Sequence, residues 1–300
     1  MRVEGLEKER VLDFVAYCKK HRSELDDSYL YDFDLLKFQA GDENPTYLAL
    51  NQQDQIVGAA SLVMDDYHKR GRRARFRIFH SETQDIQCYQ QLLEKLLKHT
   101  TSLEKVFLFI PVGNKNLIEM IEGLKFSVER YAFLLVREDL DVPEVELPNG
   151  YELKAFRPDQ DEENWLTVRN AAFSKLKGSE TPLTTEGVKT LLIDDDYLEG
   201  GMMILFHQGK PVGVIRGADD EYEEAPIMNI GPVAILPEYQ GRGLGRSLLR
   251  ASLRFAKEKG YKRTILSVNG ENERAQALYV QEGFKQVDAV ACYQYLINNR

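Results

Sequence analysis

The residues with the clearest chemical potential stand in a row, Gln240-Gly241-Arg242-Gly243-Leu244-Gly245, followed by Arg246. They separate an apolar stretch, Val233-Ala234-Ile235-Leu236, stopped by Pro237, from an amphipathic stretch that opens at residue 243. That arrangement suits an anion. The first N–H groups of a helix have no partner inside it, and the aligned peptide dipoles make that end partly positive. Glycines at 241, 243 and 245 tolerate positive φ and let phosphate oxygens approach the backbone. Arg242 and Arg246 add charge at the rim, and a guanidinium can bond phosphate through two N–H groups at once. The loop lacks the Gly-Lys-Ser/Thr ending of a nucleoside-triphosphate loop and is not the GxGxxG of a dinucleotide fold. Alone, it specifies an anion site at a helix start.

The elements around this loop repeat. In the first half, apolar spacing predicts a helix over 6–25, strands over 46–51, 56–64 and 74–79, a helix over 86–99, a strand over 105–111, a helix over 116–123 and a strand over 129–137. Residues 138–150, with Pro143, Pro148 and Gly150 among acids, read as a linker. The second half predicts a strand over 151–156, helices over 162–175 and 185–193, a hairpin over 201–217 and a strand over 227–236. A helix over 243–259, a strand over 263–268, a helix over 274–282 and a strand over 287–297 complete it. Thr184 or Thr185 can cap the helix at 185, and Gly260 can end the one at 243. Leu92-Leu93 registers with Leu248-Leu249, and Phe126 with Phe284, offsets of 156 and 158. A nearly constant offset with one element order indicates an internal duplication. The expected domains are 1–140 and 151–300.

Bulk properties limit the chemistry. The chain has 300 residues, 43% hydrophobic and 29% charged, as an ordinary globular protein does. Its net charge of -9 disfavours a nucleic-acid partner and favours, weakly, a cationic small molecule. No apolar run approaches bilayer length, and the N-terminus reads as an amphipathic helix without a signal-peptide core, so neither membrane nor export is expected. Cys18, Cys88 and Cys292 lie far apart in apolar patterns, with no CxxC; buried thiols in a reducing cytoplasm are expected, and no metal ligand is assigned. Arg73, Arg75 and Arg77 alternate, so a strand would set them on one face. They read as a solvated face or a contact with the acidic run 219–224, with an anion site as the sharper alternative.

The stretch 236–249, Leu-Pro-Glu-Tyr-Gln-Gly-Arg-Gly-Leu-Gly-Arg-Ser-Leu-Leu, resembles the coenzyme A-binding signature of the GNAT superfamily of N-acetyltransferases. Residues 272–284, Asn-Glu-Arg-Ala-Gln-Ala-Leu-Tyr-Val-Gln-Glu-Gly-Phe, resemble the family's second signature at the expected distance. The match covers roughly 151–297, and the paired layout is similar to tandem members such as mycothiol synthase. The resemblance implies an α+β fold, two tandem GNAT-like domains, each a mostly antiparallel twisted sheet flanked by helices. It implies acetyl-CoA as cofactor. Val233, Ala234 and Ile235 would pair with the pantetheine arm as an added strand. The amides of Gln240, Gly241, Arg242, Gly243, Leu244, Gly245 and Arg246 would hold the pyrophosphate. Asn272 would bond the cofactor arm, and Tyr279 would donate a proton to the leaving thiolate. Arg274 could reach the phosphates, though no motif fixes it there.

Two departures matter. Where many members carry a strand Glu as general base, this chain has Gly231, leaving Glu221, Glu223 or Glu224 to act through water or merely to attract a cation. In the first half Gln240 aligns with Gln84, but Gly243 becomes Gln87, Gly245 becomes Tyr89, Tyr279 becomes Ile121 and Gly283 becomes Lys125, while Asn272 keeps its counterpart, Asn114. The first domain is therefore expected to be non-catalytic. The leading expectation is transfer of an acetyl group from acetyl-CoA to a small-molecule amine, with a loop over 175–185 and residues near Asn170 and Phe173 shaping the acceptor site. A binding module that keeps the cofactor site without turnover, and acetylation of protein N-termini or lysines, are the other classes.

Overall fold

The computed structural model describes residues 1–83, 85–139 and 141–297. In chain order these form β1 (Arg2–Gly5), α1 (Val11–His21), α2 (Asp32–Leu36), β2 (Thr46–Leu50), β3 (Ile56–Val63), α3 (Asp66–Arg70), β4 (Arg73–Ser81), α4 (Ile86–Leu97), β5 (Lys105–Pro111), α5 (Lys115–Gly123) and β6 (Ser127–Arg137). There follow β7 (Tyr151–Ala155), α6 (Glu162–Phe173), α7 (Thr185–Ile193), β8 (Tyr197–His207), β9 (Lys210–Tyr222), β10 (Ala225–Ile235), α8 (Leu244–Glu258), β11 (Thr264–Asn269), α9 (Glu273–Gln281) and β12 (Lys285–Leu296). The compact units are residues 1–131 with 289–300, and residues 132–288. These bounds differ from a cut at 140–151 because pairing assigns the last strand of each half. Residues 132–137 of β6 pair antiparallel with β11, and residues 290–296 of β12 pair antiparallel with β5.

In the 132–288 unit the strands run β6-β11-β10-β9-β8-β7, antiparallel except for β10 and β11. One face packs Leu244, Leu248 and Leu249 of α8 and Tyr279 of α9 against Leu205, Ile215 and Leu266. The other packs Trp165 and Val168 of α6 and Val188 of α7 against Ile204, Val214 and Ala234. Helix ends follow local chemistry. The Thr184 hydroxyl accepts the N–H of Gly187 at 3.1 Å, and Gly260, at φ +88°, takes the chain out of α8.

The unit holding 1–131 has the order β1-β2-β3-β4-β5-β12, again with one parallel pair, β4 with β5. The helix expected over 6–25 is shorter: α1 is confined to Val11–His21, its buried Phe14, Tyr17 and Cys18 facing the sheet, and residues 2–5 ahead of it pair with β2. The arginines of β4 are not a solvated face. Arg73 and Arg77 are 4% and 8% exposed, and the guanidiniums of all three lie over aromatic rings: Tyr67 and Phe107, Tyr29 and Phe109, Tyr29 and Phe38. Arg75 also pairs with Asp26 at 2.5 Å. Flat guanidiniums are weakly hydrated and stack well on rings, so a strand can bury them where lysine would fail.

Candidate cofactor and acetyl-transfer site

Two breaks in regular pairing create the site. The β10–β11 ladder extends only over Met228↔Thr264 and Asn229↔Ile265. One residue further, the β9–β10 register jumps from Ile230↔Gly217 to Val233↔Ile215, so Gly231 and Pro232 oppose Arg216 alone. Such a bulge bends a strand and re-aims its side chains. Past it, Val233, Ala234 and Ile235 keep their partners on β9, while among the described residues no strand pairs with their other edge. An unpaired edge of this length is a template for an extended ligand.

The edge leads into the glycine loop. Gln240 turns inward, its side-chain amide donating to the carbonyl of Ile235 at 3.1 Å and its N–H to Pro237 at 3.2 Å. Gly241 and Gly243 stand at φ +84° and +80°, which L side chains rarely adopt, and Gly243 is the N-cap of α8 without a capping side chain. Gly245 lies inside the helix; its role is space, since a Cβ there would meet only Leu278, at 3.7 Å. Among the described residues the N–H groups of Gly241, Arg242, Gly243, Leu244 and Gly245 have no partner, whereas that of Arg246 donates to Gly243 at 3.0 Å. The row of unpartnered N–H groups thus runs over five residues, 241 to 245, with Gln240 and Arg246 bracing its ends.

The cations are distributed differently from expectation. Arg246 and Arg250 hold the buried Glu282 at 2.7 and 2.8 Å, joining α8 to α9. Burial pushes the Glu282 carboxyl up, but the hydrogen bond from Arg250 and the charges of both arginines outweigh it and hold the group below its usual range. Arg242 lies over the Tyr239 ring and donates to the carbonyl of Glu238 at 2.9 Å. Arg274, at the start of α9, comes to the loop instead: its Nη2 is 3.4 Å from where a Cβ on Gly241 would stand, and among the described residues it makes no ion pair. The sequence allowed Arg274 this reach without a motif to fix it.

Asn272 caps α9, its oxygen accepting the N–H of Ala275 at 3.2 Å, which leaves its amide nitrogen without a partner among the described residues. Tyr279, 7% exposed, packs edge-on against Phe284 at 6.0 Å. Its hydroxyl makes no hydrogen bond among the described residues, and burial pushes it up to about 12, so at neutral pH it is a proton donor. At Gly231 a Cβ would meet nothing within 4 Å. Glu223 and Glu224 sit at the tip of the β9–β10 hairpin, Glu223 bound to Arg263 at 3.0 Å; seven residues of strand, about 23 Å, separate Glu224 from Gly231. The carboxylate that sequence reasoning passed over is Asp220, which accepts from Asn229, two residues before Gly231, at 2.9 Å. The loop over 175–185 is pinned by Asn170, which bonds Leu183 through both its oxygen and its nitrogen, and by Lys177, which reaches Glu271 at 3.0 Å.

The corresponding helix start in the other unit is filled from within. Asp85 caps α4, accepting the N–H of Gln87 at 2.9 Å, and the Tyr89 hydroxyl accepts the N–H of Ser81 at 3.1 Å. Gln84, the counterpart of Gln240, lies outside the described residues. Ile121 is fully buried in the core, and Lys125 carries a positive φ of 69° where Gly283 has 89°.

Residues 164–284 match the model of the acetyltransferase (GNAT) family. The mycothiol acetyltransferase of Paenarthrobacter aurescens is 33% identical over 178 residues, 57% of this chain and 54% of that protein. That of an Arthrobacter species is 29% identical over 171 residues, 55% of this chain and 52% of that one. The alignments thus span about half the length of these curated relatives. Whole-chain likeness comes from solved structures. A GCN5-related N-acetyltransferase from Sphaerobacter thermophilus superposes with a TM-score of 0.70 at 14% identity, covering 98% of this chain and 95% of that one. A tandem GNAT protein from the clavulanic acid biosynthesis pathway gives 0.70 at 14%, covering 98% of each. The whole-chain fold is therefore that of these two structures.

Proposed function

We propose, from the premise that residues 164–284 belong to the GNAT acetyltransferase family, that the chain transfers an acetyl group from acetyl-CoA to the amine of a small molecule at one site in its 132–288 unit. The observation that carries this reading is the row of five unpartnered N–H groups, 241 to 245, at the start of α8. They suit the pyrophosphate, with Arg274 and Arg242 as neighbouring cations. The free edge of Val233, Ala234 and Ile235 suits the amides of the pantetheine arm, which leads toward Asn272 and Tyr279. Bound acetyl-CoA supplies a thioester carbonyl, at which a C–N bond forms as the C–S bond breaks. Tyr279 gives its phenolic proton to the departing sulfur. An amine with a pKa near that of lysine, about 10, must lose a proton before attack. The open space at Gly231 admits water there, and Asp220, held by Asn229 at 2.9 Å, is the carboxylate assigned to receive that proton through water. The likeness to mycothiol acetyltransferases supports a small-molecule acceptor. Three free, buried cysteines support a reducing cytoplasm. Among the described residues no helix is long and apolar enough to cross a membrane.

The 1–131 unit is assigned no turnover, because Asp85 and Tyr89 use the groups that a phosphate would need. A second reading, an acetyl-CoA-binding module without turnover, is favoured by one observation, the missing carboxylate at Gly231. A thiol-release assay across a panel of small amines, lysine peptides and peptide N-termini separates the readings. Release of coenzyme A with a small amine, cut about 100-fold in Tyr279→Phe, supports the enzyme; release with peptides alone redirects the acceptor to protein. Saturable acetyl-CoA binding with no release across the panel supports the module.

A further inference from the structure

We propose that His21, Glu24 and His80 form a binding site for a divalent metal ion of the zinc type, outside the acetyl-transfer site. His21 closes α1, Glu24 closes the 3-10 turn that follows it, and His80 is the last residue but one of β4. The imidazoles are buried, 6% and 7% exposed, while the Glu24 side chain is 54% exposed, so the cluster opens to solvent on the carboxylate side. Nδ1 of His21 is 2.8 Å from one oxygen of Glu24, and Nε2 of His80 is 3.4 Å from the other. One donor atom from each residue lies within 4.8 Å of the other two.

The second nitrogen of each ring is also held. Nε2 of His21 is 2.9 Å from Glu82, which Lys20 fixes at 2.7 Å, and Nδ1 of His80 is 2.8 Å from the Tyr17 hydroxyl. An ionised carboxylate only accepts hydrogen bonds. His21 lies between two of them, and a neutral imidazole has one N–H to give. With that N–H given to Glu82, the Nδ1 lone pair faces Glu24 at 2.8 Å, two acceptors in contact. A cation between them resolves the conflict. Metal-bound histidines commonly pass their other N–H to a carboxylate or similar acceptor, which fixes the tautomer; Glu82 and Tyr17 are placed to do this. Two imidazole nitrogens and a carboxylate oxygen suit zinc, whose bonds of about 2.0–2.2 Å in a tetrahedron set ligand atoms about 3.3 Å apart. The separations at Glu24 need to change by only a few tenths of an ångström to meet that, with water as fourth ligand. The ion would fasten the end of α1 to the end of β4. Sequence spacing hid the cluster, because fifty-odd residues separate His80 from the other two.

The test uses the full chain, stripped with a chelator, desalted and titrated with zinc chloride against a chromophoric competitor. One equivalent per chain is expected, with a rise in melting temperature, and cobalt(II) in its place should give the visible bands of a four-coordinate site. Glu24→Gln, at an exposed position, should weaken uptake at least about tenfold, and Glu82→Gln about 10–100-fold, with circular dichroism unchanged. His80→Ala should abolish uptake. No uptake by the stripped wild-type chain up to millimolar zinc, or uptake equal in Glu24→Gln, His80→Ala and wild type, overturns the site.

Discussion

Asn114 and Asn272 cap their helices alike: each side-chain oxygen accepts the N–H three residues on, from Leu117 and Ala275, at 3.2 Å in both. The cap is therefore part of the duplicated scaffold, and any bond from Asn272 to a cofactor must use its amide nitrogen. Either change to alanine should cost about 1 kcal/mol of stability in urea unfolding. Only Asn272→Ala should also weaken acetyl-CoA binding. Equal binding in both variants would confine Asn272 to capping.

Gly243 and Gly245 should separate strain from access. Gly243→Ala places a Cβ at φ +80° and should cost about 1–2 kcal/mol. Gly245→Ala meets only an ordinary contact with Leu278 and should leave stability unchanged or raise it by about 0.5–1 kcal/mol. Both should weaken acetyl-CoA at least about tenfold, because each crowds the free N–H groups. Paired calorimetric titrations and thermal melts measure the two effects independently.

Tyr279→Phe should lower kcat about 100-fold and leave KM for acetyl-CoA nearly unchanged. Burial pushes the phenol up to about 12, so it stays protonated across the ordinary assay range. Any alkaline fall in kcat below pH 10 should then persist in the residual activity of the variant. A fall that disappears with the phenol would identify Tyr279 as the titrating group.

Glu282, held low by Arg250 and Arg246, sets an acid limit on stability. A depressed carboxyl contributes fully above its unfolded pKa, near 4.5, and its contribution is lost as pH falls through the lower folded value. Glu282→Gln should cost about 1–3 kcal/mol at pH 7, discounted for the partial exposure of both arginines. Melting curves of the two proteins should converge below pH 4.

The glycine loop and its following helix were legible because their cause is local: glycines at helix entry, then apolar residues at helical spacing. Thr184 and Gly260 were legible for the same reason. The course of residues 2–5 was not, since it is set by pairing with residues 47–50 of β2, distant in sequence. The burial of Arg73, Arg75 and Arg77 depends on rings from distant segments, and the bracing of Arg246 depends on Glu282, 36 positions away. Arg274 beside Gly241 and Asn229 on Asp220 are likewise products of tertiary packing.

The central claim is one cofactor site per chain, built on the amides of residues 241–245. It is tested most directly by titrating the full chain with acetyl-CoA and following backbone amide resonances. Saturation at one equivalent is expected, with the largest shifts at Gly241, Arg242, Gly243, Leu244 and Gly245. Saturation with those amides unmoved, or with shifts centred on Gln87 and Tyr89, would contradict it.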